Sequence, residues 1–89
     1  MAVYLISYDL KTPGKDYQAL YDAIKSCGAW RHYLDSTWFL TTYKPAKDIF
    51  EILQPHLDTS DQILIVRLAA ESCGWLPREA WDWLSAQEY

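Results

Sequence analysis

The stretch Val3-Tyr4-Leu5-Ile6-Ser7-Tyr8-Asp9-Leu10 decides the fold. β-Branched and aromatic residues dominate it, and both of its alternating sets of side chains are largely apolar. A strand that is apolar on both sides is normally covered on both sides. We therefore predict that this stretch is a central strand of a sheet and that it carries the Asp9 carboxylate to the rim of that sheet.

The sequence after this strand alternates between helical and strand patterns. A Pro13-Gly14 loop precedes a helix predicted from about residue 16 to 27, where apolar residues recur with helical spacing and Gly28 suits a left-handed stop. Residues 29–34 and 37–43 predict a hairpin that turns at Asp35-Ser36. A second helix is predicted after Pro45, and residues 62–68 predict a fourth strand.

The order β-α-β-β-α-β is that of the ferredoxin-like sandwich, an α+β fold with two helices on a four-stranded antiparallel sheet. We predict one domain over residues 1–89, with its core in residues 3–68. The tail, residues 69–89, is predicted to be irregular at first and to end in a short helix after Pro77.

Composition and charge narrow the function. Five Trp and seven Tyr are more aromatic surface than a core of this size usually hides, which predicts a homo-oligomeric interface. The net charge of −4 argues against nonspecific nucleic-acid binding. Residues 48–89 hold eight acidic and two basic residues, so this half could complement a basic protein partner.

The sequence also indicates a cytoplasmic location. It shows no signal peptide and no membrane span, so no membrane partner is expected. Cys27 and Cys73 fit no metal-ligand spacing and are interpreted as reduced thiols.

The predicted topology gathers the polar loops at one end of the sheet, where the candidate site residues lie: Asp9, Lys11, Lys15, Asp35, Ser36, His56, Asp58 and Asp61. Asp9 could hold Mg²⁺ or Mn²⁺, or it could hydrogen-bond the turn around Thr12. Lys11 and Lys15 could meet phosphate, or they could be solvated loop lysines.

The other candidates have plainer interpretations. Asp35, Asp58 and Asp61 occupy positions typical of turn and cap residues. His32 and His56 could be general bases or ligands, although a lone histidine is most often an ordinary surface residue. Trp75, Trp81 and Trp83 could stack on bases, but packing of the tail onto the sheet or onto a partner subunit is the favoured interpretation.

Tyr8-Asp9 at the end of the first strand, Ser36 before the third strand and the two-helix sandwich together resemble the small subunit of the CRISPR adaptation module and the related virulence-associated protein D toxins. The resemblance covers about residues 3–68, and it extends to small bacterial proteins with the same Tyr-Asp-Leu strand end and a Trp-rich C-terminus. In place of the family's basic and Gln residues before the serine, this chain has His32 and Leu34.

The resemblance implies a homodimer whose sheets pack together, and in some members a metal-dependent nuclease. The family's metal-binding aspartate matches Asp9, and its hairpin serine matches Ser36. We therefore expect a homodimeric, nuclease-like protein acting on or beside nucleic acid, with Mg²⁺ or Mn²⁺ at paired Asp9 and with Lys11 or Lys15 steering phosphate. The alternative is a non-catalytic interaction or regulatory module that uses its edge strands and Trp-rich tail as an interface.

Overall fold

The computed structural model describes residues 1–89 and has the predicted order of elements. The strands are β1 (Ala2–Asp9), β2 (Ala29–Leu34), β3 (Thr37–Thr42) and β4 (Gln62–Arg67). The helices are α1 (Gln18–Ser26), α2 (Ala46–Leu53), which runs into a 3-10 turn at Gln54–His56, and α3 (Arg78–Ser85). None of the helices combines the length and the apolar character needed to cross a membrane.

The four strands form one sheet in the order β2-β3-β1-β4, and every neighbouring pair is antiparallel. The stretch that opens the sequence is therefore an inner strand, as predicted. This arrangement, with α1 and α2 in the crossovers, is the predicted α+β ferredoxin-like sandwich with a short C-terminal helix.

The main core lies between the sheet and the first two helices. Tyr4, Ile6 and Tyr8 of β1 point toward the helices, because alternate residues of a strand share a face. They pack with Leu20 and Ile24 of α1, Trp38 and Leu40 of β3, and Ile49 and Leu53 of α2. The i, i+4 spacing of the helical residues gives each helix the apolar stripe that this face requires.

The opposite side of the sheet, here called the outer face, consists of rows of directly paired residues. One row runs Leu34, Thr37, Ser7, Leu64 across all four strands. The next row runs Arg31, Phe39, Leu5, Val66. Asp9 and Gln62 pair beyond the first of these rows, at the end of the sheet. Each row places its side chains on one surface, since residues opposite each other in an antiparallel pair share a face.

Helix α3 covers part of the outer face with side-chain contacts alone. The Trp83 ring stacks on Phe39 with 6.1 Å between the ring centroids, and the Arg31 guanidinium lies 5.5 Å from the Trp83 ring centre. Ala80 and Leu84 of the helix are buried. No hydrogen bond joins α3 to the sheet. The apolar second face of β1 is therefore partly covered by the chain's own tail.

Gly28 ends α1 for a different reason from the one predicted. Only Gly14, in the predicted Pro-Gly turn, has a positive φ, so Gly28 is not left-handed. A Cβ on Gly28 would instead collide with the Thr41 carbonyl oxygen. The expectation of a left-handed stop is wrong, and the glycine allows the backbone to pass close to β3.

The exposed edge strand β2 is irregular. Its pairing with β3 shifts register between Arg31 and Leu34, so its two halves do not form one continuous ladder. Almost all of its side chains are exposed. The shift is a local bulge of the kind that bends a strand and interrupts its hydrogen bonding.

Candidate functional site

The loops after β1, between β2 and β3 and before β4 meet at one end of the sheet, as the topology predicts. The Tyr8 N–H donates to the Ser36 carbonyl oxygen at 3.1 Å, which places the hairpin turn beside the end of β1. The Lys11 N–H donates to the Asp61 carboxylate at 2.8 Å, which brings in the loop before β4. Residues far apart in the sequence thus share one polar end.

Asp9 is the last residue of β1 and lies on the outer face opposite Gln62. Its side chain is 63% exposed, and the Lys11 ammonium is 3.4 Å from its carboxylate. It does not hydrogen-bond the backbone around Thr12, where the plainer interpretation placed it. Asp9 is an accessible carboxylate beside one cation.

One copy offers a single carboxylate for a divalent metal at this position. Mg²⁺ takes six oxygen ligands, usually one or two carboxylates together with waters and substrate phosphates. Nowhere in the chain do three or more His, Cys, Asp or Glu side chains cluster as a metal site would need. Asp9 supplies one carboxylate, and its nearest charged neighbour is a cation. A metal at this position would therefore need further ligands, from a second copy, from substrate phosphates or from water.

Lys15 is engaged within the protein rather than free at the loop tip. Its ammonium lies 3.1 Å from the Asp58 carboxylate and donates to the His56 carbonyl oxygen at 3.2 Å. The same ammonium lies 4.8 Å from the centre of the Tyr17 ring. Lys11 keeps half of its side chain exposed while it pairs with Asp9. Of the two lysines proposed to meet phosphate, Lys11 is the more accessible.

Asp58 and Asp61 join the loop before β4 to the loop after β1, and they form what we call the loop network together with Thr12, Lys15 and Tyr17. The Thr12 hydroxyl donates to Asp58 at 2.6 Å. This hydrogen bond and the Lys15 ammonium hold the pKa of Asp58 below its usual value.

Asp61 is the centre of the loop network. It accepts the Tyr17 hydroxyl at 2.9 Å and the backbone N–H groups of Lys11 and Asp58 at 2.8 Å each. Partial burial works to raise the pKa of Asp61, but these hydrogen bonds more than offset it and the pKa is lowered. The prediction that Asp58 and Asp61 are turn or cap residues agrees with two local bonds between them: the Asp58 N–H donates to the Asp61 carboxylate, and the Asp61 N–H donates to the Asp58 carbonyl oxygen at 3.0 Å. The other side-chain bonds of the two aspartates span 43–50 positions and have no local signal in the sequence.

An aromatic stack lies on the helix side of the sheet, on the opposite face from Asp9. The Trp38 indole N–H donates to the Tyr8 hydroxyl at 2.9 Å, and burial raises the pKa of Tyr8. The exposed His32 ring lies flat on Trp38, with 3.8 Å between the ring centres, and its Nε2 is 3.0 Å from the Asp35 carbonyl oxygen. His32 is thus a cover for Trp38, packed on the opposite side of the sheet from Asp9.

The outer face keeps an uncovered apolar area next to Asp9, here called the outer strip and defined by Leu34, Leu64 and Val66. Their exposed fractions are 44%, 61% and 41%. Between Leu34 and Leu64 lie only Thr37 and Ser7, whose hydroxyl oxygens are 3.3 Å apart. The strip therefore has aliphatic side chains at both edges of the sheet and two small hydroxyl side chains between them. The aromatic surplus predicted an interface, but only the strand register shows where such a surface lies.

Comparison with known proteins gives no family for this chain: no family model matches it, and no solved structure matches it significantly.

Proposed function

We propose that the protein is an interaction module that works as a homodimer, with the two outer faces packed together. The observation that carries the proposal is the outer strip, where three large aliphatic side chains share one face and remain 41% to 61% exposed. Several large apolar side chains exposed on one face, here on either side of the Thr37 and Ser7 hydroxyls, favour an interaction surface. The acidic second half of the chain, with eight acidic and two basic residues over 48–89, gives the dimer a surface suited to a basic partner.

The first test is the mass in solution at micromolar concentration. Light scattering is expected to give twice the chain mass of 10.4 kDa for the wild type. Leu64→Asp should return the mass to that of one chain, because it buries an unpaired carboxylate in the interface. Tyr43→Asp is the matched control, since Tyr43 is 86% exposed and lies outside the strip. A wild-type mass near 10.4 kDa would refute the homodimer.

A second candidate function is metal-dependent phosphodiester hydrolysis, the activity that the family resemblance implies. It is favoured by the position of Asp9, which lies on the outer face just beyond the row that holds Ser7 and Leu64. A two-fold axis through that row would bring the two Asp9 carboxylates toward each other and supply the second acidic ligand that one copy lacks. A bound Mg²⁺ or Mn²⁺ would supply charge stabilisation at the phosphodiester. Ser36 and Lys11 would then lie near the bound substrate.

Cleavage of labelled single-stranded RNA and duplex DNA, with Mg²⁺ or Mn²⁺, separates the two candidates. Metal-dependent cleavage that is lost in Asp9→Asn and kept in Asp22→Asn would establish the hydrolytic function. Asp22 is the control because it is an exposed carboxylate on α1. A stable dimer that cleaves neither substrate and shows no salt-dependent retention of nucleic acid leaves the interaction module as the function.

A further inference from the structure

An apolar cleft lies between the outer face and the C-terminal extension. Its volume is about 340 Å³, within the range of sites that hold a bulky side chain or a small ligand. The sheet contributes Leu5, Leu34 and Phe39, and the extension contributes Leu68, Trp81 and Leu84. Glu71 is the only carboxylate among the lining residues, and none of them is a lysine or an arginine. The lining therefore suits an uncharged, preferably aromatic, occupant.

Trp75 is itself one of the residues that line this cleft, but its side chain is not buried there. Its side chain is fully exposed, whereas Trp38 is 2% and Trp30 is 36% exposed. The surrounding segment, residues 69–76, makes no hydrogen bond to the rest of the chain. An indole held fully in water forgoes the stabilisation that its large apolar surface gives when it is buried. The segment thus presents a fully exposed aromatic side chain, and no hydrogen bond ties the segment to the rest of the protein.

One surface therefore carries both the exposed indole of Trp75 and the apolar cleft. A two-fold axis places the same surface on both partners, so that residue i of one copy meets residue j of the other and the reverse. We infer that Trp75 of each copy occupies the cleft of the other copy. The inference rests on the proposed homodimer and extends it, since Leu34 belongs both to the outer strip and to the cleft.

The exposed thiol of Cys73 can be used to test this arrangement by cross-linking. Cys73 is exposed and lines the cleft, whereas the other thiol, Cys27, is buried. Cys73 is two positions from Trp75, a reach of about 7 Å at most. Exchange of the two Trp75 side chains would therefore bring the two Cys73 thiols close together. A short bis-maleimide is expected to link wild-type chains into dimers, and Cys73→Ser should abolish the link.

The decisive variant is Trp75→Ala. Removal of a tryptophan that is buried in the interface is expected to raise the dissociation constant of the dimer at least tenfold, as measured by sedimentation. The yield of maleimide-linked dimer should fall accordingly. Trp75→Phe should restore most of the affinity, and Tyr43→Ala, which removes an exposed aromatic outside the cleft, should leave it unchanged. The wild-type tryptophan emission should shift to shorter wavelength as the protein concentration rises, and Trp75→Ala should lose that shift.

The two proposals fail in different ways. A wild-type dimer whose dissociation constant and cross-linking are unchanged by Trp75→Ala would overturn the exchange of Trp75 and leave the face-to-face dimer standing. A wild type that stays monomeric and gives no cross-link would overturn both proposals. A dimer that survives Leu64→Asp but not Trp75→Ala would support the exchange and refute packing through the outer strip.

Discussion

The phenolic oxygen of Tyr17 lies 2.9 Å from each carboxylate oxygen of Asp61, across 44 positions of the sequence. Tyr17 comes just before α1 and Asp61 just before β4, so this contact ties the loop after β1 to the last strand of the sheet. Because Asp9 and Lys11 belong to the same end of the sheet, the loop network fixes the backbone that positions the candidate site.

Tyr17→Phe should lower the free energy of unfolding by about 1 kcal/mol, since it removes one hydroxyl while keeping the buried ring. Urea unfolding followed by circular dichroism measures this change. Tyr33→Phe is the matched control, because the Tyr33 hydroxyl makes no hydrogen bond within the protein. Equal stability of wild type and Tyr17→Phe would show that the loop network does not hold the fold.

Asp58→Asn should destabilise the protein at pH 7, and the loss should shrink on acidification. The folded state lowers the pKa of Asp58, so its carboxylate stabilises the fold above the unfolded pKa and stops doing so as the pH falls through the folded pKa. The difference in unfolding free energy between wild type and variant should therefore narrow below about pH 4. Denaturant unfolding at pH 7 and at pH 3 checks this. A difference that is the same at both values would contradict the lowered pKa.

Gly28→Ala should destabilise the protein by about 1–3 kcal/mol, because the new methyl group forces the end of α1 away from β3. Gly74→Ala is the control, since a Cβ at Gly74 meets no atom within 4 Å and the backbone there has no positive φ. Thermal unfolding of the two variants measures the difference. Similar melting temperatures would mean that β3 moves to accommodate the methyl group without a loss of stability.

Trp83→Ala should loosen α3 without unfolding the sandwich. The helix is attached through side chains alone, and loss of the ring that lies between Phe39 and Arg31 should lower stability by about 2 kcal/mol. Hydrogen exchange should speed up in residues 78–85 and stay unchanged in β1 and β3. The same change at the fully exposed Trp75 should leave the stability of the monomer unaltered. Uniformly faster exchange in Trp83→Ala would show that tail and sandwich unfold together.

Local patterns in the sequence sufficed for most of the fold. The two-sided apolar character of residues 3–10 placed β1 inside the sheet, helical spacing located α1 to within two residues, and Pro45 marked the start of α2. Pro77 correctly marked the start of α3. The role of Gly28 was not predictable, because a helix-ending glycine is most often left-handed and the close approach of Thr41 depends on tertiary structure.

The candidate site was harder to predict than the fold. The topology indicated which loops meet, but it did not show that Lys15 is held by Asp58 or that Asp61 gathers donors from three residues. Such pairings depend on side-chain geometry between loops that are distant in the sequence. The outer strip was hidden for the same reason, since the exposure of Leu64 depends on where α3 stops covering the sheet.

The register shift in β2 bears on how large an assembly of this protein can grow. A regular, exposed edge strand is a template on which further chains add, and repetition of that step gives fibrils. Between Arg31 and Leu34 the β2 edge offers no uninterrupted ladder to an incoming strand. Association through the outer faces is complete when two copies have paired. Association through strand edges leaves a free edge on each new copy, so further copies can add. The bulge thus favours a finite assembly over an open-ended one.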